Sequence, residues 1–257
     1  MLNAPREPIL NLPAAVTAYI LLLAAIHGVR LLLPQDLDFW VLEVFSFIPK
    51  RYDETLLLGR LRGGEGAKVW TFLTYSLLHA NFAHLAVNTL WLLPFGSAVA
   101  RRFGALRFFL LMAVTAAAGA GAHLVMHPSE LSPMIGASAS VSGAMAAAIR
   151  FAFERGSFLS FTGGRDVSSA PYVPAVSLLR ALQNPRVLSF LAIWFGINIV
   201  FGMGSLGTEM AGESVAWEAH IGGFLAGLLL FSLLDPIPEA GKTDTAAPVE
   251  DGADRSN

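Results

Sequence analysis

In a chain this apolar, few residues could do chemistry. They are Ser138, Ser140 and Ser142 in IGASASVSGAMAAA, His84 and Asn88 in HANFAHLAVN, and His220 in AHIGGFLAG. A serine hydroxyl beside a neutral imidazole is a nucleophile with its general base. Acyl transfer by such a pair also needs N–H donors aimed at the oxygen that becomes negative. A His and an Asn four residues apart share one helical face and are donors of that kind. Each fragment has a plainer reading as well. His84 and Asn88 could bond two helices together, His220 could be a packed interfacial histidine, and the small residues around the serines could serve only close helix approach.

The elements that must hold these residues are membrane helices. Of the 257 residues, 54% are hydrophobic and 14% are charged, and the mean hydropathy is +0.58; soluble domains carry about 25% charged residues. Several apolar runs approach the ~20 residues needed to cross a hydrocarbon core of about 30 Å. The expected fold class is therefore all-α, a polytopic bundle of six transmembrane helices at about 14–33, 69–99, 108–126, 133–153, 187–203 and 217–234. Residues 1–13 form a short N-terminal segment and 14–235 the membrane domain. Within that domain the long first loop, 34–69, mixes charges with apolar patches and reads as a folded interfacial loop with short amphipathic helices. Residues 236–257 are polar and acidic, with the composition of a disordered tail.

Basic residues are unevenly shared among the connections. ARRFGALR follows span two, and Arg155, Arg165, Arg180 and Arg186 follow span four, whereas HPSEL and GSLGTEMAGES have neither Lys nor Arg. The positive-inside rule then puts both termini in the cytoplasm. A net charge of −2 with no dense basic block gives no electrostatic footprint for nucleic acid. The absence of Cys removes disulfides, thiolate chemistry and Cys-ligated metals.

On span six, Gly223 and Gly227 follow His220 on the same face, so the histidine stands above a glycine groove. Span four, with Gly136, Ala139, Ser142, Gly143 and Ala146, is thin enough to lie in that groove. Ser138, near the helix start behind Pro133 and Gly136, then matches His220 in depth, and Ser142 lies a turn deeper. No acid in the spans completes a triad, because Glu218 is only two residues before His220 and should point elsewhere. His27, His123 and His127 fall near span ends and read as interfacial. The polar groups converge at one depth, unlike the distributed path a transporter would want.

Three motifs together resemble the rhomboid intramembrane serine proteases. HANFAHLAVN is similar to the family's H-x4-H-x3-N, GASA at 136–139 to its G-x-S-G, and AHIGGFLAG to its A-H-x-G-G-x3-G; they fall on spans two, four and six, in the family's order. The resemblance implies Ser138 as nucleophile, His220 as general base, and His84 and Asn88 as oxyanion donors with the backbone N–H of Ser138, while His79 is structural. It implies a Ser-His dyad that cleaves transmembrane segments of protein substrates within a lipid bilayer, that of a bacterial inner membrane, with no cofactor and no metal. The alternative it leaves open is a catalytically inactive rhomboid-like scaffold that binds transmembrane helices. Three positions depart from the family pattern. Ala139 stands where the second motif glycine would be, Ser142 where an aromatic residue often packs on the histidine, and Trp70-Thr71 where W-R is frequent. The segment GMGSLGTEMAGES is placed to act as a movable lid.

Overall fold

Pro13 and Pro34 bracket the first helix, α1 (Ala14–Leu31), much as the sequence leads one to expect. Its buried residues, Val16, Tyr19, Leu23 and His27, recur every three or four positions and so form one stripe. Tyr19 meets Phe108 and Phe109 edge-on at 6.5 and 6.3 Å. The computed structural model describes residues 12–53, 61–154, 172–202 and 216–237. The first eleven residues, most of the acidic tail and all but Gly202 of the expected lid GMGSLGTEMAGES lie outside the described residues.

The described residues between α1 and Thr74 are largely helical. They contain α2 (Gln35–Phe45), a 3-10 turn at Pro49–Tyr52 and α3 (Gly64–Thr74). Arg51 is buried and donates to the carbonyls of Arg62 and Glu43, and the indole N–H of Trp70 donates to the Val44 carbonyl at 3.0 Å. The loop is thus closed by backbone carbonyls that would otherwise lack partners. Val69 and Leu73 remain exposed on its outside.

Span two departs from the expected continuous helix over 69–99. Helix α3 stops at Thr74, a 3-10 turn covers Tyr75–Leu77, and α4 (Phe82–Trp91) starts afresh behind Asn81. The Asn81 side chain accepts the His84 N–H at 2.9 Å, the geometry of an N-cap. The large apolar residues continue through this boundary, and the N-cap Asn81 is the signal that marks the new helix start. The chain then passes through a π-helical turn, Leu92–Gly96, around Pro94, which has no N–H to continue an α-helix. Helix α5 (Ser97–Met126) is broken at Gly104, whose φ of 75° and ψ of 170° only glycine adopts readily.

After α5 come α6 (Ser138–Ala148), α7 (Leu178–Leu182), α8 (Pro185–Gly202) and α9 (Trp217–Leu234). No strand occurs among the described residues; Phe47 and Met134 form an isolated antiparallel bridge. Ala14–Leu31, Phe82–Met126 and Trp217–Leu234 are long and apolar enough to cross a membrane, and Pro185–Val200 is a shorter apolar helix.

The core trio is α5, α6 and α9. Every residue of α6 from Ala139 to Ala148 is buried. A Cβ at Gly223 would strike the backbone of Ala139, one at Gly227 would strike the backbone of Gly143, and one at Gly143 would strike Thr115 of α5. The groove expected on α9 is real, and α6 lies in it. At the other end of α9, Asp235 accepts two hydrogen bonds from the buried Arg102, both 2.8 Å, and the guanidinium stacks over Phe151 at 4.6 Å.

Candidate active site

The nucleophile candidate is placed by the segment just before α6. Phe47 and Met134 exchange backbone hydrogen bonds of 3.1 and 2.9 Å, and the Lys50 N–H donates to the Glu130 carbonyl at 2.9 Å. The first loop therefore grips the approach to Ser138. Gly136 has φ 123° and donates its N–H to the Tyr75 carbonyl at 3.0 Å. A Cβ there would come within 2.6 Å of His84 Nε2, so the position needs glycine for space as well as for conformation. Helix α6 begins at Ser138 with no side-chain cap, leaving its first backbone N–H groups without intrahelical partners.

Ser138 Oγ lies 2.7 Å from His220 Nε2. The other ring nitrogen, Nδ1, is bonded to Asn198 Oδ1 on α8. The Asn198 Nδ2 donates to the Trp194 carbonyl at 2.8 Å, which fixes the amide with its oxygen toward the ring. An amide oxygen can only accept, so Nδ1 carries the proton and Nε2 presents its lone pair to the serine hydroxyl. Sequence reasoning missed Asn198. The available signal was a lone amide in the otherwise apolar run LAIWFGINIV, where a polar side chain normally has a partner.

His84 and Asn88 line the same cavity, of about 840 Å³, with Ser138, His220, Asn198 and Trp194. His84 sits against Gly136. Asn88 is buried and donates one Nδ2 hydrogen to the His84 carbonyl at 2.9 Å, leaving the second. Among the four predicted site residues, only Ser138 and His220 are bonded directly to each other by their side chains. His79 is fully buried with its ring 5.1 Å from that of His84. Ser140 points away from the cavity and donates to the Met112 carbonyl at 2.8 Å, pinning α6 to α5. Ser142 is buried in the cavity wall.

Two of the departures from the family pattern have structural counterparts. Gly119 of α5 leaves room for the Ala139 methyl, which occupies the space a Cβ at Gly119 would need. Ser142 offers no ring to support His220, and Asn198 supports it from the other side. Glu218 turns toward α5, with Oε1 2.6 Å from His127 Nε2 and Oε2 3.8 Å from His123 Nδ1. Glu130, in the loop after α5, accepts the Ser132 backbone N–H at 2.8 Å, and that bond holds its carboxyl below the usual carboxylate range.

Fold and cavity together describe an integral membrane protein with a serine and an imidazole at its polar centre. The rhomboid domain model matches residues 66–235, and the chain belongs to the rhomboid family. It is 31% identical over 173 residues to rhomboid protease GluP of Bacillus subtilis (strain 168), a match covering 67% of this chain and 27% of the relative. It is 28% identical over 162 residues to rhomboid protease GlpG of Enterobacter sp. (strain 638), covering 63% of this chain and 47% of that relative. The matched region thus spans less than half of either relative.

Proposed function

We propose that the protein is an intramembrane serine endopeptidase that cleaves transmembrane segments of other membrane proteins. The observation that carries this reading is the 2.7 Å contact between Ser138 Oγ and His220 Nε2, with Nδ1 bonded to Asn198. In the proposed reaction Ser138 Oγ attacks the scissile carbonyl carbon as its proton passes to His220 Nε2. The carbonyl oxygen becomes an oxyanion, for which His84, the second Nδ2 hydrogen of Asn88 and the Ser138 backbone N–H are the donors. His220 then gives its proton to the leaving amine, and the C–N bond breaks. Water, deprotonated by the same nitrogen, releases the acyl group and restores the serine. Asn198 acts through the imidazole, as a positioning residue.

On this reading residues 14–235 form a six-span domain, with α6 as the short fourth span and the first loop at the outer surface. Both termini face the cytoplasm of a bacterial inner membrane. The name rhomboid protease, borne by both relatives, supports the reaction class.

The test needs no knowledge of the substrate. A fluorophosphonate probe should label the purified protein in detergent, and Ser138→Ala should abolish both labelling and cleavage of a model transmembrane substrate. Ser140→Ala and Ser142→Ala should stay within about tenfold of the parent, since neither hydroxyl meets an imidazole. Undiminished cleavage by Ser138→Ala would end the assignment. Absence of labelling in a well-folded parent would favour a scaffold that binds transmembrane helices.

A further inference from the structure

His123 and His127 are one turn apart at the end of α5, with ring centroids 5.2 Å apart, and Glu218 reaches both from the first turn of α9. One ligand atom from each of the three residues falls within a sphere where all lie no more than 4.8 Å apart. A hydrogen-bonded pin between helices would account for His127 and Glu218 alone. It leaves His123 idle: its side chain is 9% exposed, and Nδ1 has no hydrogen-bond partner among the described residues. A buried ring nitrogen without a partner, aimed at a carboxylate it does not reach, calls for something between them.

We propose that His123 Nδ1, His127 Nε2 and a carboxylate oxygen of Glu218 form a binding site for a divalent transition-metal ion of the zinc class. Tetrahedral zinc holds nitrogen and oxygen ligands at about 2.0–2.1 Å, which sets ligand atoms roughly 3.3 Å apart. The two contacts are made by different oxygens of Glu218, Oε1 at 2.6 Å from His127 Nε2 and Oε2 at 3.8 Å from His123 Nδ1. To bring one oxygen and both ring nitrogens to that spacing, the carboxylate must turn and the ligand atoms, now within 4.8 Å of one another, must draw together. Two imidazoles with one carboxylate suit zinc or cobalt, whereas calcium and magnesium want oxygen donors throughout. Three protein ligands leave a fourth position open. All three residues line the cavity that holds Ser138, so that position is supplied by cavity water. The ion would tie the first turn of α9, two residues before His220, to the end of α5.

The site stands apart from the proposed protease reaction, and the experiment keeps the two separable. Full-length protein without a polyhistidine tag is titrated in detergent with Zn2+ by equilibrium dialysis, and with Co2+ by visible absorption. The expected result is one ion per chain and the intense visible bands of four-coordinate cobalt. His123→Ala, His127→Ala and Glu218→Gln should each weaken binding at least about tenfold, and Ser138→Ala should bind as the parent does. Because Glu218→Gln could loosen α9, each variant is also melted without metal. The gain in Tm on adding Zn2+ should vanish in the variants whatever their starting Tm. Stoichiometry and thermal gain that are unchanged in all three ligand variants, or a parent that binds no ion at micromolar Zn2+, would overturn the proposal.

Discussion

On the proposed function, the imidazole of His220 must offer Nε2 as a lone pair to Ser138, and the amide of Asn198 on Nδ1 favours that tautomer. Asn198 reaches His220 from 22 residues away along the chain and is itself oriented by the Trp194 carbonyl. Asn198→Leu should lower kcat about ten- to a thousandfold, a part of what a positioned general base contributes, with KM little changed. Asn198→Asp keeps an acceptor facing Nδ1 and should recover most of the loss, which a merely structural role for the amide would not produce. Steady-state kinetics on a model substrate decides between them. Asn88→Ala should cost about ten- to a thousandfold in turnover through loss of one oxyanion donor, with Tm preserved. Ser138, His220, His84 and Asn88 could be proposed from the sequence because they fall in three short motifs whose spacings resemble a family pattern. Asn198 and the Glu218 cluster could not, because neither falls in a short motif of characteristic spacing and only the packed helices show which groups they meet.

At the level of helices, the groove on α9 is what brings His220 to Ser138. A side chain at Gly227 would run into the Gly143 backbone, which cannot move aside as a flexible side chain can. Gly227→Leu should therefore cost about 1 to 3 kcal/mol or more in thermal unfolding and abolish fluorophosphonate labelling, because α6 is pushed from α9. A variant as stable and as reactive as the parent would deny that packing. Gly119 and Ala139 make a second case. Gly119→Ala should destabilise, and Ala139→Gly in the same chain should restore part of the loss, with a coupling of roughly 0.5 to 3 kcal/mol in a double-mutant cycle. The recovery is partial because the Ala219 carbonyl and the Tyr75 hydroxyl also crowd that position. Helix α9 was legible to the residue from hydropathy, and α1 nearly so. The split of span two was not, since large apolar residues recur throughout Val69 to Leu78 and scattered Thr and Ser are tolerated in a membrane helix, leaving the Asn81 cap as the marker.

Across the whole molecule, the polar side-chain contacts made by α9 and its C-cap Asp235 lie toward the two ends of that helix. The end with Ala219 and His220 carries the cavity; the other is staked by Arg102 and Asp235, with side chains 0% and 5% exposed. Asp235→Ala leaves the guanidinium without its carboxylate in a dry setting and should cost roughly 3 to 5 kcal/mol, read as a fall in Tm. Replacing both partners by apolar residues should cost less than either single change. Among the described residues this pair joins positions 133 apart, and the Ser138–His220 contact joins positions 82 apart. During synthesis Ser138 therefore precedes His220, its proposed base, by 82 residues, and Asp235 follows later still. On the proposed function, a half-made chain holds only an unactivated alcohol, and the bilayer in which it is being inserted meets no working nucleophile until α9 has docked.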